Sequence, residues 1–133
     1  MTILRSGRFV SAVFITFSGN CREALTYYQT CFGGSIRFET FEKEELGSIE
    51  KPVVIGSLFS DEITVHGSDL VHNEGRTLGN YLAVFLYCKT VDERQTLIKK
   101  LELGKEHPTI IDDEDQKLVE IIDIFEVRWI LAV

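Results

Sequence analysis

The sequence predicts an α+β fold made of two copies of one βαβββ module, and three observations carry that prediction. Ala12-Val13-Phe14-Ile15 returns 71 residues later as Ala83-Val84-Phe85-Leu86, and the amphipathic stretches behind the two copies stop at Gly33 and Gly104, again 71 apart. A repeat of this kind fixes architecture before any single element is assigned, and two copies give a pseudo-twofold pair, not a solenoid. One helix followed by several strands in each copy means α+β instead of a doubly wound sheet. The 133 residues suffice for a single domain, with module 1 at about 9–69 and module 2 at about 80–133.

Module 1 opens with a strand at residues 9–17, apolar almost throughout and rich in β-branched and aromatic side chains. Ser18-Gly19 breaks it. Asn20 is an N-cap candidate with Glu23 at the capping-box position. Ala24, Leu25, Tyr28, Cys31 and Phe32 then fall on one helical face, and Gly33-Gly34 ends the helix. Residues 35–41 alternate, with Ile36, Phe38 and Thr40 on one side and Arg37, Glu39 and Phe41 on the other, as in a strand with one wet face. After a polar loop at 43–51, residues 53–59 and 63–66 read as an antiparallel hairpin turning at Ser60-Asp61-Glu62. Residues 67–80 read as the linker.

Module 2 opens with the apolar strand 81–88. Thr90 caps the following helix with Glu93 at the capping-box position, Leu97, Ile98 and Leu101 form its stripe, and Gly104 ends it. Residues 109–111, 118–122 and 127–133 read as short strands, with turns at 112–115 and 123–126. Each helix can bury one face against its own sheet. Two four-stranded sheets side by side would leave a concave face on the other side.

Composition excludes several function classes. Hydrophobic residues make up 44% and charged residues 26% of the chain, and the net charge is −7. No lysine/arginine stripe offsets that charge, so a nucleic-acid partner is not expected. No apolar run reaches membrane-spanning length and no signal-peptide pattern is present, so a cytoplasmic protein without a membrane partner is expected. The three cysteines, Cys21, Cys31 and Cys88, lack zinc or disulfide spacing. Cys21 and Cys31 sit about 15 Å apart along the first helix, too far to bridge, and Cys88 reads as a buried small hydrophobe. Nucleophile-elbow, P-loop, dinucleotide-fingerprint and HExxH motifs are all missing.

The segment Phe17-Ser18-Gly19-Asn20-Cys21-Arg22-Glu23-Ala24-Leu25-Thr26-Tyr27-Tyr28, followed by Cys31-Phe32-Gly33-Gly34, resembles the opening strand-to-helix motif of the PhnB-like branch of the vicinal oxygen chelate superfamily. That superfamily includes glyoxalase I, bleomycin-resistance proteins and extradiol dioxygenases. Ser68-Asp69, the stretch from Leu101 to Gly104, and Asp123-Ile124-Phe125-Glu126-Val127-Arg128-Trp129 resemble later signatures of the branch. The resemblance implies paired βαβββ modules forming a cup-shaped, glyoxalase-like barrel around a small-molecule site, in a homodimer. It also implies, for the enzymes, a divalent metal held by His, Glu or Gln side chains and acting as a Lewis acid on neighbouring substrate oxygens.

The chain departs from that pattern where a metal would sit. The opening strands carry no His, Asp or Glu, and Ile55 stands where the branch often has histidine. Glu126 occupies a turn position where the branch usually has glycine, which implies a reshaped turn. His66 either faces the cup as ligand or base or serves as a hydrogen-bonded strand residue; His72 and His107 read as solvated or structural. Glu120, mid-strand between Val119 and Ile121, either lines the pocket or faces solvent. The expected pocket residues are therefore His66, Thr64, Phe14, Phe85 and Trp129, with Glu120 as the candidate catalytic group. The first reading is a cup that binds a small apolar molecule without metal or other cofactor. The alternative is a divalent-metal enzyme with a rearranged site of His66 and Glu120, in which Glu120 or a bound water moves the proton. A third is a scaffold dimer.

Overall fold

The computed structural model describes residues 11–40, 52–69, 78–109, 111 and 116–133. The expectations for Phe41, for the acidic stretches 42–50 and 112–115, and for His72 lie outside those residues. The chain forms two compact units, Met1–Arg76 and Thr77–Val133, and is mixed α+β in each.

Unit 1 runs β1 (Val13–Thr16), α1 (Cys21–Phe32), β2 (Ser35–Thr40), β3 (Val53–Phe59) and β4 (Thr64–Ser68), the expected βαβββ order. Its sheet has the strand order β1-β4-β3-β2, with β1 parallel to β4 and the other two pairs antiparallel. The parallel pair is possible because α1 supplies the crossover that parallel strands need. Cys21, Ala24, Leu25, Tyr28 and Cys31 of α1 are buried, as are Leu58 and Val65 of the sheet. Gly56 permits this packing: a Cβ there would lie 2.7 Å from Leu25 Cδ1. On the same face the Arg22 guanidinium stacks 4.5 Å above the Phe38 ring.

Unit 2 runs β5 (Val84–Tyr87), α2 (Val91–Leu101), β6 (Leu118–Ile122) and β7 (Arg128–Ala132). Its sheet order is β5-β7-β6, with β5 parallel to β7 and β6 antiparallel to it. Ile98 and Leu101 of α2 and Val119, Ile121, Trp129 and Leu131 of the sheet form its core. The strand expected at 109–111 is not found at Thr109 or Ile111, and Ile110 lies outside the described residues. A buried carboxylate competes for the backbone there: Glu102 accepts hydrogen bonds from the Thr109 N–H at 2.9 Å and from the Thr109 hydroxyl. A donor bound to that side chain is not available to a sheet neighbour.

Two further expectations change. Asn20 precedes α1 but makes no side-chain capping bond; the Cys21 N–H at the start of the helix is taken by Asp69, described below. Cys88 lies just past β5 and is half-buried, not core, with its N–H donating to Ala132 O at 2.8 Å. Glu126 takes φ +70°, alone among the described non-glycine residues.

Candidate functional site

In each unit one sheet face is buried and the other is left open, and the expected site residues can be sorted by face. Strand partners in register point to the same side. Val13, Val65, Leu58 and Ile36 follow one another across unit 1 on the α1 side. One residue out of phase, Phe14 pairs with His66, His66 with Ser57, and Ser57 with Arg37. These four, one from each strand, form a row across the open face. Thr64 is on the same face opposite Phe59.

The middle of the row is tied together. Ser57 Oγ and His66 Nδ1 share a hydrogen bond of 2.8 Å. The Phe59 ring meets the imidazole edge-on, with centroids 5.8 Å apart. The bond to Ser57 and the packing on Phe59 hold the ring in one orientation, which leaves Nε2 as the nitrogen without a protein partner among the described residues. Phe14 is 59% exposed, an unusual state for a large aromatic side chain in the middle of a strand.

Unit 2 repeats the geometry with different chemistry. Phe85, the repeat mate of Phe14, pairs with Ile130, which pairs with Glu120. Phe85 is 55% and Tyr87 76% exposed, with their rings in edge contact at 6.2 Å, and Leu118 and Ile122 are also exposed. Glu120 is paired with the Arg128 guanidinium, whose Nη1 also reaches Leu82 O at 3.4 Å. Trp129, expected as a pocket residue, lies instead on the buried side. It is 0% exposed and its indole N–H donates to Asp123 Oδ2 at 2.9 Å. The structure thus brings Phe14, Thr64 and His66 together in unit 1, places Phe85 and Glu120 together in unit 2, and removes Trp129 from either open face. His107 is exposed.

Asp69 is the polar anchor that the sequence reading missed. Its Oδ1 accepts from the N–H groups of Gly19 and Cys21, both at 2.9 Å, and its Oδ2 accepts from Val53 N–H at 3.0 Å. One carboxylate thereby caps α1 and pins the start of β3 to the end of β4. Burial, and secondarily the Asp69 charge, push the Cys21 thiol up to about 12, against a smaller lowering by Arg22. Such a thiol stays protonated and unreactive at neutral pH.

The donor set of the described residues does not fit the divalent metal that the resemblance implies. Among the described residues no three His, Cys, Asp or Glu side chains come together. Ile55 faces the same side as His66, one alternate position along β3 from Ser57, and offers no donor atom. Phe14 and Phe85 occupy the central places of the two opening strands, and Glu120 is held by Arg128. His66 and Glu120 belong to different units.

No protein-family model and no curated protein sequence matches the chain. Solved structures do. The chain is similar to protein PA1353 from Pseudomonas aeruginosa, with TM-score 0.71 and 20% identity over 92% of this chain and 97% of that one. A PhnB protein from Bacillus cereus matches with TM-score 0.66 and 19% identity, again over 92% and 97%. The fosfomycin resistance protein FosX from Listeria monocytogenes, crystallised with Mn(II) and sulfate, matches with TM-score 0.54 and 11% identity over 98% and 91%. The chain shares the fold of these solved structures, a PhnB protein and FosX among them.

Proposed function

We propose that this protein binds a small, largely apolar molecule on its open sheet faces and that no catalytic metal takes part. The observation that carries this reading is the repeat pair Phe14 and Phe85, each in the middle of an opening strand and each more than half exposed. Water contact with two such rings is unfavourable, and burying apolar area is worth about 25 cal/mol per Å², so an apolar ligand gains affinity by covering them. Small-molecule sites combine apolar walls with a few placed polar groups. The Ser57–His66 pair supplies such groups in unit 1, while in unit 2 Glu120 is neutralised by Arg128 beside an apolar surface. The lack of a fitting donor set among the described residues supports the metal-free half of the reading. The homodimer that the resemblance implies is part of the same proposal.

Thermal-shift screening of small apolar compounds tests it. A cup ligand raises the melting temperature with concentration, and Phe14→Ala or Phe85→Ala reduces that rise. Metal analysis of protein purified without chelator, with melting in added Zn²⁺, Ni²⁺ or Mn²⁺, tests the second half. A bound metal near one per chain that is lost in His66→Ala overturns the metal-free reading in favour of an enzyme.

A further inference from the structure

The row across the open face of unit 1 changes character from one end to the other. Phe14 on β1 is an exposed ring, His66 and Ser57 in the middle are half-buried hydrogen-bonding groups, and Arg37 on β2 is an exposed guanidinium. Adjacent strands lie about 4.8 Å apart, so the row extends roughly 14 Å from ring to cation. Phe59 beside His66 extends the apolar end. Arg37 sits opposite Ser57, on the side away from Arg22 and Phe38. The other charged side chain of that face among the described strand residues is Glu39, opposite Ile55, and no ion pair joins it to Arg37. Among the described residues a positive group is thus left uncommitted on the same face as a hydroxyl and an imidazole, in a chain whose net charge is −7.

We infer that the unit 1 face selects a small aromatic acid, its ring against Phe14 and Phe59 and its carboxylate received by Arg37, Ser57 and His66. This rests on the small-molecule reading above and adds the charge and orientation of the ligand. A carboxylate accepts from donors in several directions. The hydroxyl and guanidinium donate to it directly, and the imidazole donates whenever Nε2 carries its proton, which the Ser57 bond to Nδ1 allows. A carboxylate placed at the Ile55 end would meet the like charge of Glu39 in place of the Arg37 cation, so the register favours the acid at the Ser57 and Arg37 end.

The test is an NMR titration of the intact, isotope-labelled chain with three probes: phenylacetate, benzyl alcohol and acetate. Phenylacetate should bind at least about tenfold more tightly than either of the others, as one added charge-assisted contact allows, and should shift the resonances of His66, Ser57 and Phe59. Arg37→Gln should weaken phenylacetate to the level of benzyl alcohol while leaving benzyl alcohol unchanged. Arg22→Gln, which removes the cation on the helix side, should leave both unchanged. Equal binding of benzyl alcohol and phenylacetate, or no loss in Arg37→Gln, overturns the selection for an acid and leaves the small-molecule reading standing. If neither ring-bearing probe shifts any resonance on either open face, the small-molecule reading falls and this inference with it.

Discussion

The two units anchor their helices by opposite means. α2 is capped by its own neighbour: Thr90 Oγ1 accepts from Glu93 N–H at 3.0 Å. α1 is capped from another part of the chain, by the Asp69 carboxylate beyond β4. A local cap ties a helix to the preceding residue and stabilises only that helix. The Asp69 cap joins the start of a helix, the end of one strand and the start of another, so one side chain serves both the helix and the sheet of unit 1. Unit 2 has a related carboxylate, used differently. Asp123 Oδ1 accepts from Phe125 and Val127 N–H, and its Oδ2 takes the Trp129 indole N–H, which closes the β6–β7 turn and satisfies the core tryptophan.

The sharpest way to break this contrast is to remove both caps. Asp69→Ala leaves three backbone N–H groups without their acceptor and should cost about 3 kcal/mol, since hydrogen bonds to a charged group are worth about 1.5–3 kcal/mol each and water can replace some of them. Thr90→Ala should cost about 1 kcal/mol, as for an ordinary N-cap. Urea unfolding of the two variants measures both. Equal losses would show that Asp69 is only another cap and not the joint of unit 1.

The same contrast explains what could be read from the sequence. Thr90 lies next to its helix, and cap, stripe and Gly104 all lie within one short window; the helix was therefore legible, although it ends at Leu101 and Gly104 comes after a further turn. For α1 the extent was also legible, but the cap was assigned to Asn20 because Asn is a good capping residue and is adjacent. Its Oδ1 is instead buried with no hydrogen-bond partner among the described residues, and the acceptor at the start of the helix comes from 48 residues away. Faces were legible where strands alternate, as in β2. They were not legible in β7, where apolar residues fill both sides: Trp129 and Ile130 look alike in sequence, yet one is core and the other lies on the open face. Ser57 could have been found. Once the hairpin is centred between Phe59 and Thr64, Ser57 falls opposite His66. Arg37 needed the next pairing as well, across a long connection that no local pattern specifies.

The cysteines carry the comparison into pH. Burial raises the thiols of both Cys21 and Cys88, but Cys21 has the Asp69 charge adding to it, whereas Cys88 is also lowered by Arg94. In the unfolded chain Cys21 ionises near its ordinary value of 9.0, while in the fold it stays protonated up to about 12. Across that window the unfolded state holds fewer protons, so stability is full below pH 9 and falls as pH rises toward 12. The loss should be smaller in Cys21→Ala, measured by chemical unfolding at a series of pH values. Under native conditions at pH 8, a thiol reagent should modify half-buried Cys88 well before buried Cys21 and Cys31. Reaction of Cys21 first would mean that the Asp69 joint opens readily.

A smaller effect of opposite sign is expected at the β6–β7 turn. Glu126 holds φ +70° in a region where glycine carries no penalty. Glu126→Gly relieves that strain but gives the unfolded chain more freedom, and the net gain should be under about 1 kcal/mol. Glu126→Ala, which keeps the strain, should give no gain, so the difference between the two variants in a thermal melt isolates the backbone contribution.

The smallest expected effect bears most directly on the open faces. Glu120 and Arg128 form an ion pair with the carboxylate half exposed at 50%. Exposed pairs of this kind contribute about 0–1 kcal/mol, so Glu120→Gln should change stability by less than about 0.5 kcal/mol, and salt should erase most of that. The functional consequence separates the readings. If unit 2 presents an apolar surface and Glu120 only neutralises Arg128, Glu120→Gln leaves apolar ligand binding within about twofold, far from the tenfold change that 1.4 kcal/mol would bring. If Glu120 moves a proton, the substitution abolishes a reaction while leaving the fold intact, and the contrast between a polar row in unit 1 and an apolar one in unit 2 would have to be redrawn around a second working carboxylate.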